Sequence, residues 1–130
     1  MRLALDTNRY SDLMAGDLAL ADQVSSTEWI GVPFAVLAEL RSGFALGKKS
    51  AENDRALTRF LNRPGVHVLW PTEATTRLYA SIFRELRTKG RPVPANDLWI
   101  AATALENGAA LATRDPHFRE IPELLVVGPG

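Results

Sequence analysis

Cysteine is absent from this 130-residue chain, so neither disulfides nor thiolate metal sites contribute to it. That absence accords with a reducing cytoplasm, the compartment expected here. Histidine is scarce, at two residues, which leaves no imidazole cluster. Long apolar runs are missing too. No stretch approaches the ~20 residues that cross a bilayer, and Leu3-Ala4-Leu5 meets a charge at Asp6 too soon for a signal peptide, so no membrane association is expected. Net charge is also missing, with 15 Lys and Arg against 15 Asp and Glu. Overall charge therefore gives no argument for nucleic acid, and any such binding must rest on local charge and a metal. No Gly-rich phosphate loop or Ser-His-Asp spacing is apparent.

What remains is a composition of 46% hydrophobic and 23% charged residues, which fits a soluble globular protein. A chain of this length can bury roughly two-thirds of its unfolded surface without staples. With no internal repeat, linker or low-complexity tract, residues 1–130 read as one domain.

Short apolar runs alternate with helical patterns. Arg2 to Leu5 reads as a first strand that delivers Asp6 at its carboxyl end. Ile30-Gly31-Val32 is a second, Val66 to Trp70 a third, Ala109 to Thr113 a fourth and Leu125 to Val127 a last one. Pro33 suits the first turn of a helix running to about Leu46, and Ala51 to Leu61 forms another. From Thr72 or Glu73 to Thr88, Leu78, Tyr79, Ile82, Phe83 and Leu86 recur at helical spacing. Gly90 to Pro94 is a stiff loop, after which Asn96 or Asp97 caps a helix to Glu106. Asp115 to Glu120 makes a short helical turn. Between Thr7 and Trp29 only a turn at Thr7-Asn8 is assigned. Strands separated by helices predict an α/β fold, a three-layer α/β/α sandwich with a central, mainly parallel sheet.

In such sheets ligands sit beyond the carboxyl ends of the strands, where strand order reverses. Asp6 follows strand one, Asp115 lies just past strand four, Asp97 opens a helix, and Glu39 borders the buried face of the helix after strand two. Each alone has a plainer use: Asp6 or Asp97 as a cap, Glu39 as a rim charge, Asp115 as the opener of the turn before Pro116. Together they need a counterion, because two like charges ~4 Å apart repel by roughly 4 kcal/mol at an effective dielectric of ~20. Oxygen ligands without a His or Cys cluster favour Mg2+ or Mn2+ over zinc. Such a site can polarise a phosphodiester and support in-line hydrolysis.

Four segments carry these acids: Leu5-Asp6-Thr7-Asn8, Val36 to Gly43 around Glu39, Asn96 to Leu105 after Asp97, and Leu111 to Phe118 around Asp115. In order, spacing and length they resemble the four motifs of PIN domains, and the compact chain looks most like the VapC toxins of type II toxin–antitoxin pairs. The resemblance implies a Mg2+-dependent endoribonuclease acting on structured RNA, often tRNA, with Mn2+ as an alternative ion. Asp6, Glu39, Asp97 and Asp115 become the catalytic and metal-binding quartet, and Asn8 and Thr113 its polar supports. A VapB-type antitoxin whose tail offers the acids an arginine, and a homodimer, are implied as well. Arg9 stands where many relatives carry an aliphatic residue, and would touch RNA or face solvent.

Arg77, Arg84, Arg87, Lys89 and Arg91 read either as a phosphate-tracking strip or as a solvated helix face. His67 reads as a packed or edge histidine, and His117 is near enough to the acids for acid–base work. The three tryptophans read as core or interface anchors. Rival functions are a PIN nuclease for RNA processing without an antitoxin and a PIN-like binding module without catalysis. A phosphotransfer receiver would need an acidic neighbour for Asp6 and a lysine after Lys89, and neither is present.

Overall fold

Continuous apolar runs, rather than alternating ones, mark strands covered on both faces. In the computed structural model, which describes residues 1–129, β1 (Arg2–Leu5) carries Leu3, Ala4 and Leu5 with no exposed surface. Gly130, the last residue of the expected 1–130 domain, lies outside the described residues. β2 (Trp29–Pro33), β3 (Val66–Leu69), β4 (Ala110–Ala112) and β5 (Val126–Val127) join β1 in a five-stranded parallel sheet of order β3-β2-β1-β4-β5. Leu3 is in register with Ile30 on one side and with Ala110 on the other.

The helices are α1 (Thr7–Met14), α2 (Leu18–Ser25), α3 (Phe34–Leu46), α4 (Ser50–Leu61), α5 (Glu73–Thr88) and α6 (Ala95–Glu106), with a 3₁₀ turn at Pro116–Glu120. Right-handed crossovers put α1 to α4, which carry the chain outward from β1 to β3, on one face of the sheet. α5 and α6, which bring it back to β4, then cover the other. This is the sandwich expected from the sequence. α6 is the most deeply buried helix, because Ala101, Ala102 and Ala104 let its backbone approach the sheet. Its first turns meet those of α3, where Phe34 packs edge-on against Trp99 at 5.7 Å.

Two expectations need correction. Residues 7–29 hold two eight-residue helices, α1 and α2, rather than a single turn. Their apolar faces are too short to show a period, but each has a cap: Asp6 Oδ1 accepts from the Arg9 N–H at 2.8 Å, and Asp17 Oδ1 from the Leu20 N–H at 3.0 Å. Nor does Asn96 or Asp97 cap α6. The helix begins at Ala95 after Pro94, with no side-chain cap bond, which puts Asp97 inside the first turn.

His67 is the edge histidine expected, exposed on β3 and stacked on Trp29 at 5.1 Å, with the Arg2 guanidinium 4.7 Å from the Trp29 ring. Where β3 begins, Gly65 has φ +82°, and a Cβ there would run into the Glu28 carbonyl. Gly65→Ala is therefore expected to cost at least about 2 kcal/mol, from left-handed backbone strain plus that clash. Denaturant unfolding of the two proteins measures the difference.

Candidate functional site

Parallel strands deliver the residues after them to one edge of the sheet. β1 and β4 are neighbours, so Asp6, whose N–H donates to the Ala112 carbonyl at 3.2 Å, lies beside Thr113 and the turn that follows it. The Thr113 hydroxyl, 1% exposed, donates to Asp6 Oδ2 at 2.5 Å and accepts from the Asp115 N–H at 3.0 Å. One buried hydroxyl thus ties two of the expected acids together. Asp115 Oδ1 accepts from the His117 N–H at 3.0 Å and lies 3.1 Å from His117 Nδ1.

The other two acids arrive on helices. Glu39, on α3, is half-buried, and its Oε1 accepts from the Thr7 hydroxyl at 2.8 Å. Asp97, on α6, lies with Asp115 and His117 so that one ligand atom from each falls within 4.8 Å of the others. Burial pushes the Asp97 carboxyl up to about 6, and the charges of Asp115, Glu39 and Asp6 push the same way against the pull of His117. Burial also raises Asp6, opposed by the Thr113 and Arg9 hydrogen bonds and reinforced by Asp115. The four acids therefore feel one another's fields. Among the described residues no lysine or arginine pairs with any of them.

This donor set fits a divalent cation. Clustered carboxylate oxygens without a lysine or arginine partner carry charge that a cation would offset, and oxygen donors suit Mg2+ or Mn2+.

Asp6 and Asp115 also serve the plainer roles the sequence allowed them, as caps of α1 and of the 3₁₀ turn. Asn8 is exposed, and among the described residues its side chain makes no hydrogen bond. Thr7 is the residue that sequence reasoning passed over. Its only signal was its place directly after Asp6, since a bond across 32 residues leaves no local pattern.

Arg9 neither faces solvent nor is free for RNA. It is 6% exposed, and its guanidinium reaches Asp12 at 3.0 Å and Asp17 at 3.3 Å, which fastens α1 to the start of α2. Arg114 takes Asp12 as well, at 3.0 Å, and its hydrogen bond holds the Asp12 carboxyl below the usual range. In the Arg77 to Arg91 segment, Arg77 pairs with Glu73, Lys89 with Glu85 and Arg91 with Glu120. That pairing offsets three of the five charges, while Arg84 and Arg87 make no ion pair among the described residues. Arg91, Pro92 and Val93, from the loop expected to be stiff, wall a cavity of about 420 Å³ that His117 borders.

The PIN-domain model matches residues 3–124. Ribonuclease VapC4 of Mycobacterium tuberculosis is 32% identical over 106 residues, 82% of this chain and 81% of its own. Ribonuclease VapC1 of Haemophilus influenzae is 35% identical over 126 residues, 92% of each chain. Among solved structures, VapBC-1 from nontypeable Haemophilus influenzae superposes with a TM-score of 0.87 at 31% identity, over 98% of both chains. VapBC2 from Rickettsia felis, solved bound to a DNA fragment from its promoter, gives 0.85 at 29% identity over the whole of both chains.

Proposed function

Since this chain belongs to the PIN-domain family, we propose that it is a metal-dependent endoribonuclease of the VapC type, the toxin half of a toxin–antitoxin pair. The observation that carries the reading is the convergence of Asp6, Glu39, Asp97 and Asp115 with no lysine or arginine paired to any of them among the described residues. Asp97 and Asp115, whose ligand atoms lie together, would hold the ion directly, with Asp6 and Glu39 completing the shell. A bound Mg2+ or Mn2+ supplies charge neutralisation, polarisation of the scissile phosphodiester and a lowered pKa for attacking water.

The chain's own groups do the positioning. Thr113 fixes Asp6 through its hydroxyl and Asp115 through the Asp115 N–H. Thr7 occupies Glu39 Oε1, which leaves Oε2 to orient a water at the phosphorus. Protons compete with the cation for Asp97, whose carboxyl is raised to about 6 without metal, so at limiting metal cleavage falls as the pH drops, and added metal moves that fall to lower pH.

Structured RNA such as tRNA is the proposed substrate, supported by relatives named ribonucleases. A VapB-type antitoxin is the proposed partner, supported by the likeness to VapBC structures. An arginine from its tail would fork onto the acids in place of the ion. A homodimer and a single nuclease domain complete the proposal.

The test is the chemistry of the product ends. Attack by water leaves a linear phosphate on one side of the cut and a hydroxyl on the other. Cleaved RNA bearing a 2′,3′-cyclic phosphate would mean that the RNA's own 2′-hydroxyl attacked, and the hydrolytic reading would fall.

A further inference from the structure

The quartet leaves out the side chain best placed to join it. His117 groups with Asp97 and Asp115 within 4.8 Å, whereas Asp6 and Glu39 are outside that trio. Its ring is aimed by a short rigid segment. Pro116 fixes the backbone between Asp115 and His117, and Asp115 Oδ1 receives the His117 backbone N–H while lying 3.1 Å from Nδ1. At that spacing a cation taking the place of the proton between Nδ1 and Oδ1 is within reach of both atoms, so His117 and Asp115 can serve one ion together. The ring is also accessible, with 59% of the side chain exposed at the rim of the 420 Å³ cavity.

We propose that His117 is a nitrogen ligand of the bound cation, and that it biases the site toward Mn2+ over Mg2+. The inference rests on the metal-dependent reading above. Mg2+ takes oxygen ligands almost exclusively and tolerates departure from octahedral oxygen geometry poorly. Imidazole is a softer donor and adds affinity for first-row transition metals. A trio of two carboxylates and one imidazole therefore discriminates where four carboxylates alone would not.

Mn2+ is its own probe, because its electron spin registers directly bound nitrogen. Pulsed EPR of the Mn2+-loaded protein is expected to show a 14N coupling that is lost in His117→Gln and kept in His67→Gln. These are the chain's only two histidines. Titration of free Mn2+ by its EPR signal should show about tenfold weaker binding in His117→Gln, with Mg2+ affinity, read by competition, unchanged. Mn2+ binding without a nitrogen coupling in the natural protein, or a coupling that survives His117→Gln, overturns the inference and leaves the carboxylate site standing. Failure to bind Mn2+ at all overturns both.

Discussion

Asp97→Asn is expected to lower RNA cleavage at least a hundredfold while making the metal-free protein more stable at neutral pH. Both effects come from one cause. Asp97 is held among Asp115, Glu39 and Asp6 in a half-buried place, and its carboxyl is pushed up to about 6. Its ordinary value is 3.8, so the unfolded chain releases this proton more readily than the folded one. The folded state is then favoured below pH ~4, and that advantage is lost as the pH rises through about 6. Asparagine carries no charge to lose. Its stability gain over aspartate should be absent at pH 4, grow between pH 4 and 6, and level off above. A shift of about two pKa units corresponds to about 3 kcal/mol at most, and partial exposure reduces this to about 1–2 kcal/mol. In activity, removal of a charged ligand should cost about 3 kcal/mol or more of transition-state stabilisation, which is the hundredfold loss. Thermal unfolding in chelator across pH 4–8 checks the first half, and cleavage rates the second. A variant less stable than the parent at pH 7.5 would mean that Asp97 is a structural residue.

Thr113→Val should give the opposite pairing, with stability and activity falling together. The substitution keeps the shape of a side chain that is 1% exposed but removes the hydroxyl linking Asp6 to the Asp115 N–H. An N–H left without a partner costs about 1–3 kcal/mol when buried, and the half-buried Asp115 N–H stands at about 1 kcal/mol, the low end. Asp6 loses the hydrogen bond that opposes its burial, so its carboxyl rises further and competes less well for a cation. Loss of such a supporting bond typically costs ten- to a hundredfold in metal affinity or activity. Thr113→Ser, which keeps the hydroxyl, should recover most of both. If valine and serine behave alike in denaturant unfolding and in cleavage, the hydroxyl is not what positions the acids.

Much of this arrangement could be read from the chain, and the limits have physical causes. The strands were legible because a sheet covered on both faces demands unbroken apolar runs, as in Leu3-Ala4-Leu5 and Ala110-Leu111-Ala112. α5 was legible because sixteen residues are enough to repeat a period. α1 and α2, at eight residues each, are held by the caps Asp6 and Asp17 and by the buried Arg9 contacts, none of which depends on a repeating stripe. The start of α6 was misread because an Asn-Asp pair is a favoured cap, while the helix begins at Ala95 directly after Pro94 and takes Asp97 into its first turn. Motif order identified the four acids. Their supports were harder to see, because Thr7 with Glu39 and Thr113 with Asp6 are joined only by the fold. Thr113 was reached through the resemblance, and Thr7 was not reached at all. Arg9 shows the same limit from the other side, since nothing local announces that an arginine will be buried between two aspartates.

The most direct test of the central claim is RNA cleavage by the purified protein, freed of any antitoxin and stripped of metal, before and after Mn2+ or Mg2+ is restored. The account predicts that the stripped protein leaves RNA intact and that either ion restores discrete cuts. Cleavage that persists undiminished in the stripped protein, or RNA left intact with both ions saturating, would contradict it.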